Sequence, residues 1–293
     1  MKTAVAGPSP GPCARNCWAV DRLSTQTPPS DLPRDPHAFD AEMAKAIEQD
    51  YLTPEITEQR RRTLQALALQ PGERVLDAGC GPGLLVRAMS EPVGECGHVL
   101  GIDNAAAMLD LARARCRGME NVTIASGDAL NLPVGSVSLD ALSCTQLLLL
   151  IDDVPGALQE FQRVLKPGGR LAVVETDWRS AVLNTTDKNL THRMFEAWDD
   201  MAANPNLPAR LAPMLVEGGF RVAAAAAIPV LNTVWGPEAF SYNFVNGLAR
   251  QCAERDIVSK DEAAAWLDDL ARKGRDGAYF FCVNRFLFTA VKG

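Results

Sequence analysis

The chain has 293 residues, a formal net charge of −7 and 47% apolar residues. An acidic chain without a basic stripe is not built to track nucleic-acid phosphates, and no apolar run approaches the roughly 20 residues of a membrane span. Eight cysteines without a C-x-x-C spacing, beside three histidines, point to free thiols in a reducing, cytoplasmic setting, with neither a metal site nor a disulfide framework.

Residues 1–36 are rich in proline and show no apolar periodicity, so they read as a disordered tail. Residues 37–293 read as one domain. Phe39, Met43, Ile47 and Tyr51 recur every four residues and predict a helix. Thr53 as N-cap, Pro54 at the first helical position and Glu55 in the first turn open a second, which runs to Leu67. Its Arg60-Arg61-Arg62 run is a solvated face from which one arginine can reach a ligand carboxylate. These N-terminal helices occupy 38–69.

From 73 to 176 strands alternate with helices, which argues for a parallel, doubly wound α/β sheet. The strands are Arg74 to Ala78, His98 to Asp103, Val122 to Ile124, Leu139 to Cys144 and Arg170 to Glu175. Asn104 is placed to cap the helix carrying Met108, and Asp152-Asp153 to open the helix ending near Leu165. The second half departs from this alternation. It predicts helices over Asp187 to Asn204 and Pro208 to Gly218, a strand over Arg221 to Leu231, and a final strand over Tyr279 to Val291. Two further helices fall between those strands, one from Pro237 and one opened by a capping box, Ser259 to Glu262.

In an open parallel sheet, ligands sit beyond the carboxyl ends of the strands. Asp77, Asp103 and Asp128 fall at three such ends. Asp103 lies 20 residues after Gly83, where an acid can accept from both ribose hydroxyls. Asp128 can accept from the amine of a base, and Met108 can pack on it. A nicotinamide cofactor also needs an adenosine pocket. Its fingerprint is G-x-G-x-x-G with a pyrophosphate at the helix N-terminus. Here Gly79, Gly81 and Gly83 alternate, and Leu84 stands where the third glycine belongs. Asp77 repels pyrophosphate and attracts an ammonium group. A cofactor bearing adenosine and an amino acid fits better than NAD, which leaves an NAD-dependent oxidoreductase as the disfavoured alternative.

Val75-Leu76-Asp77-Ala78-Gly79-Cys80-Gly81-Pro82-Gly83 resembles the first motif of class I S-adenosylmethionine-dependent methyltransferases. Gly101-Ile102-Asp103 with Met108-Leu109, Gly127-Asp128-Ala129, and Leu165-Lys166-Pro167-Gly168-Gly169 resemble later motifs in the same order. Together they look like the small-molecule branch that includes ubiquinone and menaquinone C-methyltransferases. The likeness covers 54–176 well and weakens from 177 onward. It implies a Rossmann-like seven-stranded sheet with an antiparallel last strand and helical lid insertions at 178–204 and 236–272. It implies S-adenosylmethionine as cofactor. Gly79, Gly81 and Gly83 would pass close to its methionine portion and Asp77 would accept from its ammonium. Asp103, with Asn104 beside it, would hold the ribose, Asp128 the adenine amine, and the Ala129 N–H a ring nitrogen. Ser143 to Gln146 would lie beneath the sulfonium, and Tyr51 and Arg60 would fold over the cofactor.

Methyl transfer needs alignment and dryness more than covalent machinery. A general base is required only when the acceptor must lose a proton, and His192 is the best-placed histidine for that. Glu175, Asp177, Trp178, Trp235 and Tyr242 are the candidate acceptor contacts. The aromatic residues of the lids point to a partly apolar small molecule. The expected activity is methylation at carbon or oxygen in specialised metabolism. Alternatives are a quinone-precursor C-methyltransferase, an N-methyltransferase, or a methyltransferase-like subunit that supports a partner without turnover. The residues leave the oligomeric state open.

Overall fold

The computed structural model describes residues 41–200 and 202–293. The expected tail, and the first residues of the expected N-terminal helix, lie outside the described residues. The elements are α1 (Ala41–Leu52), α2 (Pro54–Leu67), β1 (Arg74–Ala78), α3 (Leu84–Val93), β2 (His98–Asp103), α4 (Ala106–Arg115), β3 (Val122–Ser126), β4 (Leu139–Thr145), α5 (Val154–Val164), β5 (Leu165–Leu183), α6 (Lys188–Asp199), α7 (Pro208–Glu217), β6 (Phe220–Asn232), α8 (Phe240–Glu254), α9 (Lys260–Arg275) and β7 (Phe281–Lys292).

One seven-stranded sheet runs in the order β3-β2-β1-β4-β5-β7-β6. β1 pairs in parallel with both β2 and β4, while β7 is antiparallel to both β5 and β6. The central strands are covered on both faces and read as near-continuous apolar runs, as parallel strands must. Leu76, Leu100 and Leu142 pack with Phe161 and Leu158 on one face, and Val75, Val99 and Ala141 with Val86 and Met89 on the other. A separate apolar cluster fills the lid, where α6, α8 and α9 close over Trp178, Phe281 and Val283.

Local chemistry sets the element ends. Pro54 starts α2 and a left-handed Ala68 ends it. Thr53 occupies the N-cap but donates its hydroxyl back to the Asp50 carbonyl at 2.8 Å. The capping box of α9 forms as expected, Ser259 and Glu262 bonding each other's backbone N–H. Three expectations need correction. Asn104 does not cap α4; the donor there, Ala105 N–H, is satisfied by Asp103 at 2.9 Å. Residues 178–183 are not helical. They extend β5 past a bulge after Asp177, pairing Val182 with Cys282, and α6 begins only where Asp187 accepts from Leu190 N–H. The helix expected from Pro237 starts at Phe240.

Candidate active site

The loop after β1 turns through three left-handed glycines, Gly79, Gly81 and Gly83 (φ 70°, 51° and 76°). Their reasons differ. A Cβ on Gly83 would lie 2.9 Å from that of Ala112, so this glycine lets α3 pack on α4. A Cβ on Gly81 would project into open space, a cradle that stays clear for a ligand, while its N–H donates to Asp103 Oδ2 at 2.8 Å. Gly79 lines the cleft itself.

That cleft lies at the carboxyl ends of β1 and β4. Asp77, Gly79, Cys80, Thr145 and Gln146 form its floor, and Tyr51, Gln59 and Arg60 reach it from α1 and α2. Asp77 is buried and accepts from Ser143 Oγ at 2.5 Å. Burial pushes its carboxyl up to about 7; the Ser143 bond opposes the rise and the Asp103 charge adds to it. A carboxylate this desolvated gains most from a cationic partner. Ser143 is fully buried and does not line the cleft; it supports Asp77 from beneath.

Gln146 is held in a left-handed conformation (φ 55°) at the end of β4. Its N–H and its Nε2 both donate to the Val174 carbonyl, at 2.8 and 3.1 Å, and its Oε1 accepts from Thr176 Oγ1 at 2.5 Å. A non-glycine residue in this conformation costs about 1–3 kcal/mol and persists only where its surroundings impose it. Asp103 spends one oxygen on Gly81 N–H and the other on Ala105 N–H, which leaves one acceptor site on each for further donors. Asn104 and Asp128 are exposed, and Met108 and Ala129 are buried. Arg60 donates to the Tyr51 carbonyl at 3.2 Å and to Thr57 Oγ1 at 3.1 Å, which joins the two N-terminal helices at the cleft wall.

The expected acceptor residues scatter. Glu175 does not line the cleft: it is buried, and its Oε1 accepts from Leu147 and Leu148 N–H at 3.1 and 2.8 Å. Burial pushes its carboxyl up to about 8 against those bonds. Asp177 accepts from Arg179 N–H. Trp178 stacks on Phe244 with ring centroids 4.3 Å apart inside the lid core. Trp235 and Tyr242 form an edge-to-face pair at 4.7 Å, with Trp235 also against Tyr279. His192 lies on the outer face of α6, its side chain 73% exposed and 3.2 Å from Glu196. It borders a second, wider groove with Trp178, Phe195 and Asp199 that shares no lining residue with the cleft.

Two cleft residues lay beyond the sequence reading. Gln59 is buried on α2, and Arg285, 3% exposed on β7, donates to Gln59 Oε1. The Arg285 guanidinium also sits 5.2 Å over the Phe240 ring, and its Nε is buried without a partner among the described residues. The signal was present. Phe281, Val283 and Arg285 share one buried phase of a period-2 strand, and a cation in that phase is out of place on packing grounds. Among the described residues no cluster of three or more His, Cys, Asp or Glu is grouped to hold a metal. None of the described helices is long and apolar enough to cross a membrane.

Together these features define a class: a Rossmann-like α/β protein with an acid-floored, phosphate-averse ligand loop at the centre of the sheet. The chain belongs to the methyltransferase-domain family, whose sequence pattern matches residues 69–219. Of its relatives, an uncharacterized 37.1 kDa protein in transposon TN4556 of Streptomyces fradiae is 31% identical over 231 residues, 78% of this chain and 65% of that protein. The demethylmenaquinone methyltransferase of Staphylococcus aureus is 38% identical over 117 residues, 40% of this chain and 48% of that one. Phosphoethanolamine N-methyltransferase 2 of Haemonchus contortus, solved in complex with S-adenosyl-L-methionine, is 20% identical with a TM-score of 0.57, over 86% of this chain and 57% of that one. The chain thus spans less than two thirds of the length of each of these proteins, and the last comparison bears on fold alone.

Proposed function

We propose that the protein transfers a methyl group from S-adenosylmethionine to carbon or oxygen of a partly apolar small molecule in specialised metabolism. The observation that carries this reading is Asp77, a buried carboxylate with no cation paired to it among the described residues, lining a cleft whose loop keeps Gly81 open. The residues fit the cofactor. Asp77 would accept from its ammonium, the free acceptor sites of Asp103 from its ribose, and Thr145 and Gln146 would border its reacting end. S-adenosylmethionine would supply an already activated methyl group. The chain's own part is to orient the acceptor against that group and to exclude water, worth about 7–11 kcal/mol in well-aligned reactions. The rigid Gln146 turn and the N-terminal helices with Tyr51 and Arg60 serve those two ends.

Thermal-shift measurement with S-adenosylhomocysteine and with NAD tests the donor. Stabilisation by S-adenosylhomocysteine is expected, and stabilisation by NAD alone overturns the reading. A quinone-precursor activity is the second reading, supported by the 38% identity with a demethylmenaquinone methyltransferase over 117 residues. Methylation of a demethylmenaquinol by the purified protein would favour it.

A further inference from the structure

Arg285 raises a question that cofactor binding does not answer. Its guanidinium is charged at any working pH, it is buried, and no carboxylate lies within salt-bridge distance of it among the described residues. Its protein partners are an amide oxygen on Gln59 and the face of Phe240. Asp50 and Glu175 act on it through space. Asp50 bonds Asn243 instead, and Glu175 bonds the turn after β4. Burying an unpaired cation is costly, and a hydrophobic residue would pack as well in its place. Yet Arg285 lines the same cleft as Asp77 and Gly79.

Sheet order says which end of a ligand it meets. The acids suited to adenosine lie on β2 and after β3, and the amino-acid end falls at β1. From β1 the sheet continues through β4 and β5 to β7, so Arg285 stands three strands away, about 14 Å at the usual strand spacing. It pairs in register with Thr176, whose hydroxyl holds Gln146. A molecule lying next to the reacting end of the cofactor, on the side away from adenosine, therefore lies between Gln146 and Arg285.

We infer that Arg285 binds an anionic oxygen of the methyl acceptor, a carboxylate or phenolate, with Gln59 fixing the guanidinium for that contact. This rests on the methyltransferase reading and narrows its substrate class to oxygen acids with an apolar body. The anion supplies the missing counter-charge, and the Nε donor gains an acceptor. Ile56, Leu84 and Leu85, which line the same cleft, suit the apolar remainder.

The test uses the full chain saturated with S-adenosylhomocysteine. Three acids, benzoate, cinnamate and 1-naphthoate, are titrated calorimetrically beside their carboxamides, which keep the shape and lose the charge. At least one acid is expected to bind about tenfold or more tightly than its amide, a difference typical of a charged hydrogen bond. That preference should disappear in Arg285→Met and persist in weakened form in Arg285→Lys, while affinity for S-adenosylhomocysteine stays within about twofold of the parent in both variants. Equal or absent binding of every acid and amide overturns the inference and leaves the methyltransferase reading intact. A large loss of S-adenosylhomocysteine affinity in Arg285→Met also overturns it, since Arg285 would then serve the cofactor's own carboxylate. Failure of the parent chain to bind S-adenosylhomocysteine sinks the underlying reading instead.

Discussion

Replacing Asp77 by Asn separates charge from shape at the floor of the cleft. In the ligand-free protein the Asp77 carboxyl titrates near 7 because burial disfavours its anion. The unfolded chain releases that proton near the ordinary value of 3.8. Between those values the folded state binds the extra proton, so the Asp77 contribution to stability falls as pH rises from about 4 to about 7. Asn removes that slope, and the ligand-free variant should melt higher than the parent at pH 7 and above. Binding should move the other way. A charge-assisted hydrogen bond to an ammonium contributes about 1.5–3 kcal/mol, so Asp77→Asn should weaken S-adenosylhomocysteine at pH 7 by about 10- to 150-fold. Asp77 must also be ionised to form that bond. Its ionised fraction is about one half at pH 7 and about 3% at pH 5.5, so the parent's affinity should fall by up to about 15-fold between them. Calorimetric titrations of both proteins at the two pH values check this. Equal affinity for the two proteins, or the same pH dependence in both, would refute the assignment of Asp77 to the ammonium.

Four other outcomes follow from the same geometry. Glu175→Ala leaves the buried N–H groups of Leu147 and Leu148 without their acceptor. It should cost about 2–4 kcal/mol in urea unfolding at pH 7, whereas Glu175→Gln, which keeps an acceptor, should cost under half as much. Because burial raises the Glu175 carboxyl to about 8, the parent's stability should decline between pH 4.5 and 8, and the Gln variant's less steeply. Gly83→Ala combines a left-handed backbone with a 2.9 Å approach to Ala112; a loss of about 1–3 kcal/mol is expected by thermal unfolding. His192→Ala removes an exposed side chain remote from the cleft lining, so melting temperature and S-adenosylhomocysteine affinity should both stay essentially unchanged.

The cofactor half was legible because its signals are local. A strand, an acid and alternating glycines sit within ten residues, and Asp103 follows at a fixed distance along the chain. Strand existence followed from apolar runs bounded by turns, and the antiparallel last strand from the resemblance to methyltransferases. The acceptor half was less legible because its contacts are not local. Arg285 meets Gln59 across 226 positions, and no spacing rule ties a last strand to an N-terminal helix. Glu175 illustrates the opposite error. Its expected place at a strand end suggested a ligand contact, but β5 runs on to Leu183, and its carboxyl turned toward N–H groups of the turn after β4. The aromatic residues behaved as lid packing: Trp178 and Phe244 satisfy one another by stacking. Asn104 lost its capping role because Asp103, one residue earlier, already reached the donor.

The place of β7 in the sheet has a consequence for biosynthesis. It follows every other strand in the chain but lies inside the sheet, between β5 and β6. While the ribosome is still extending the chain, β5 and β6 each wait with an open edge, and open edges invite pairing with other chains. The nascent protein can assemble its cofactor half from β1 to β4 early, but Arg285 reaches the cleft only when β7 slots in. Ending the chain before β7 should therefore yield aggregates, with no trimmed folded protein, and a chaperone that shields strand edges should raise the yield of the intact chain.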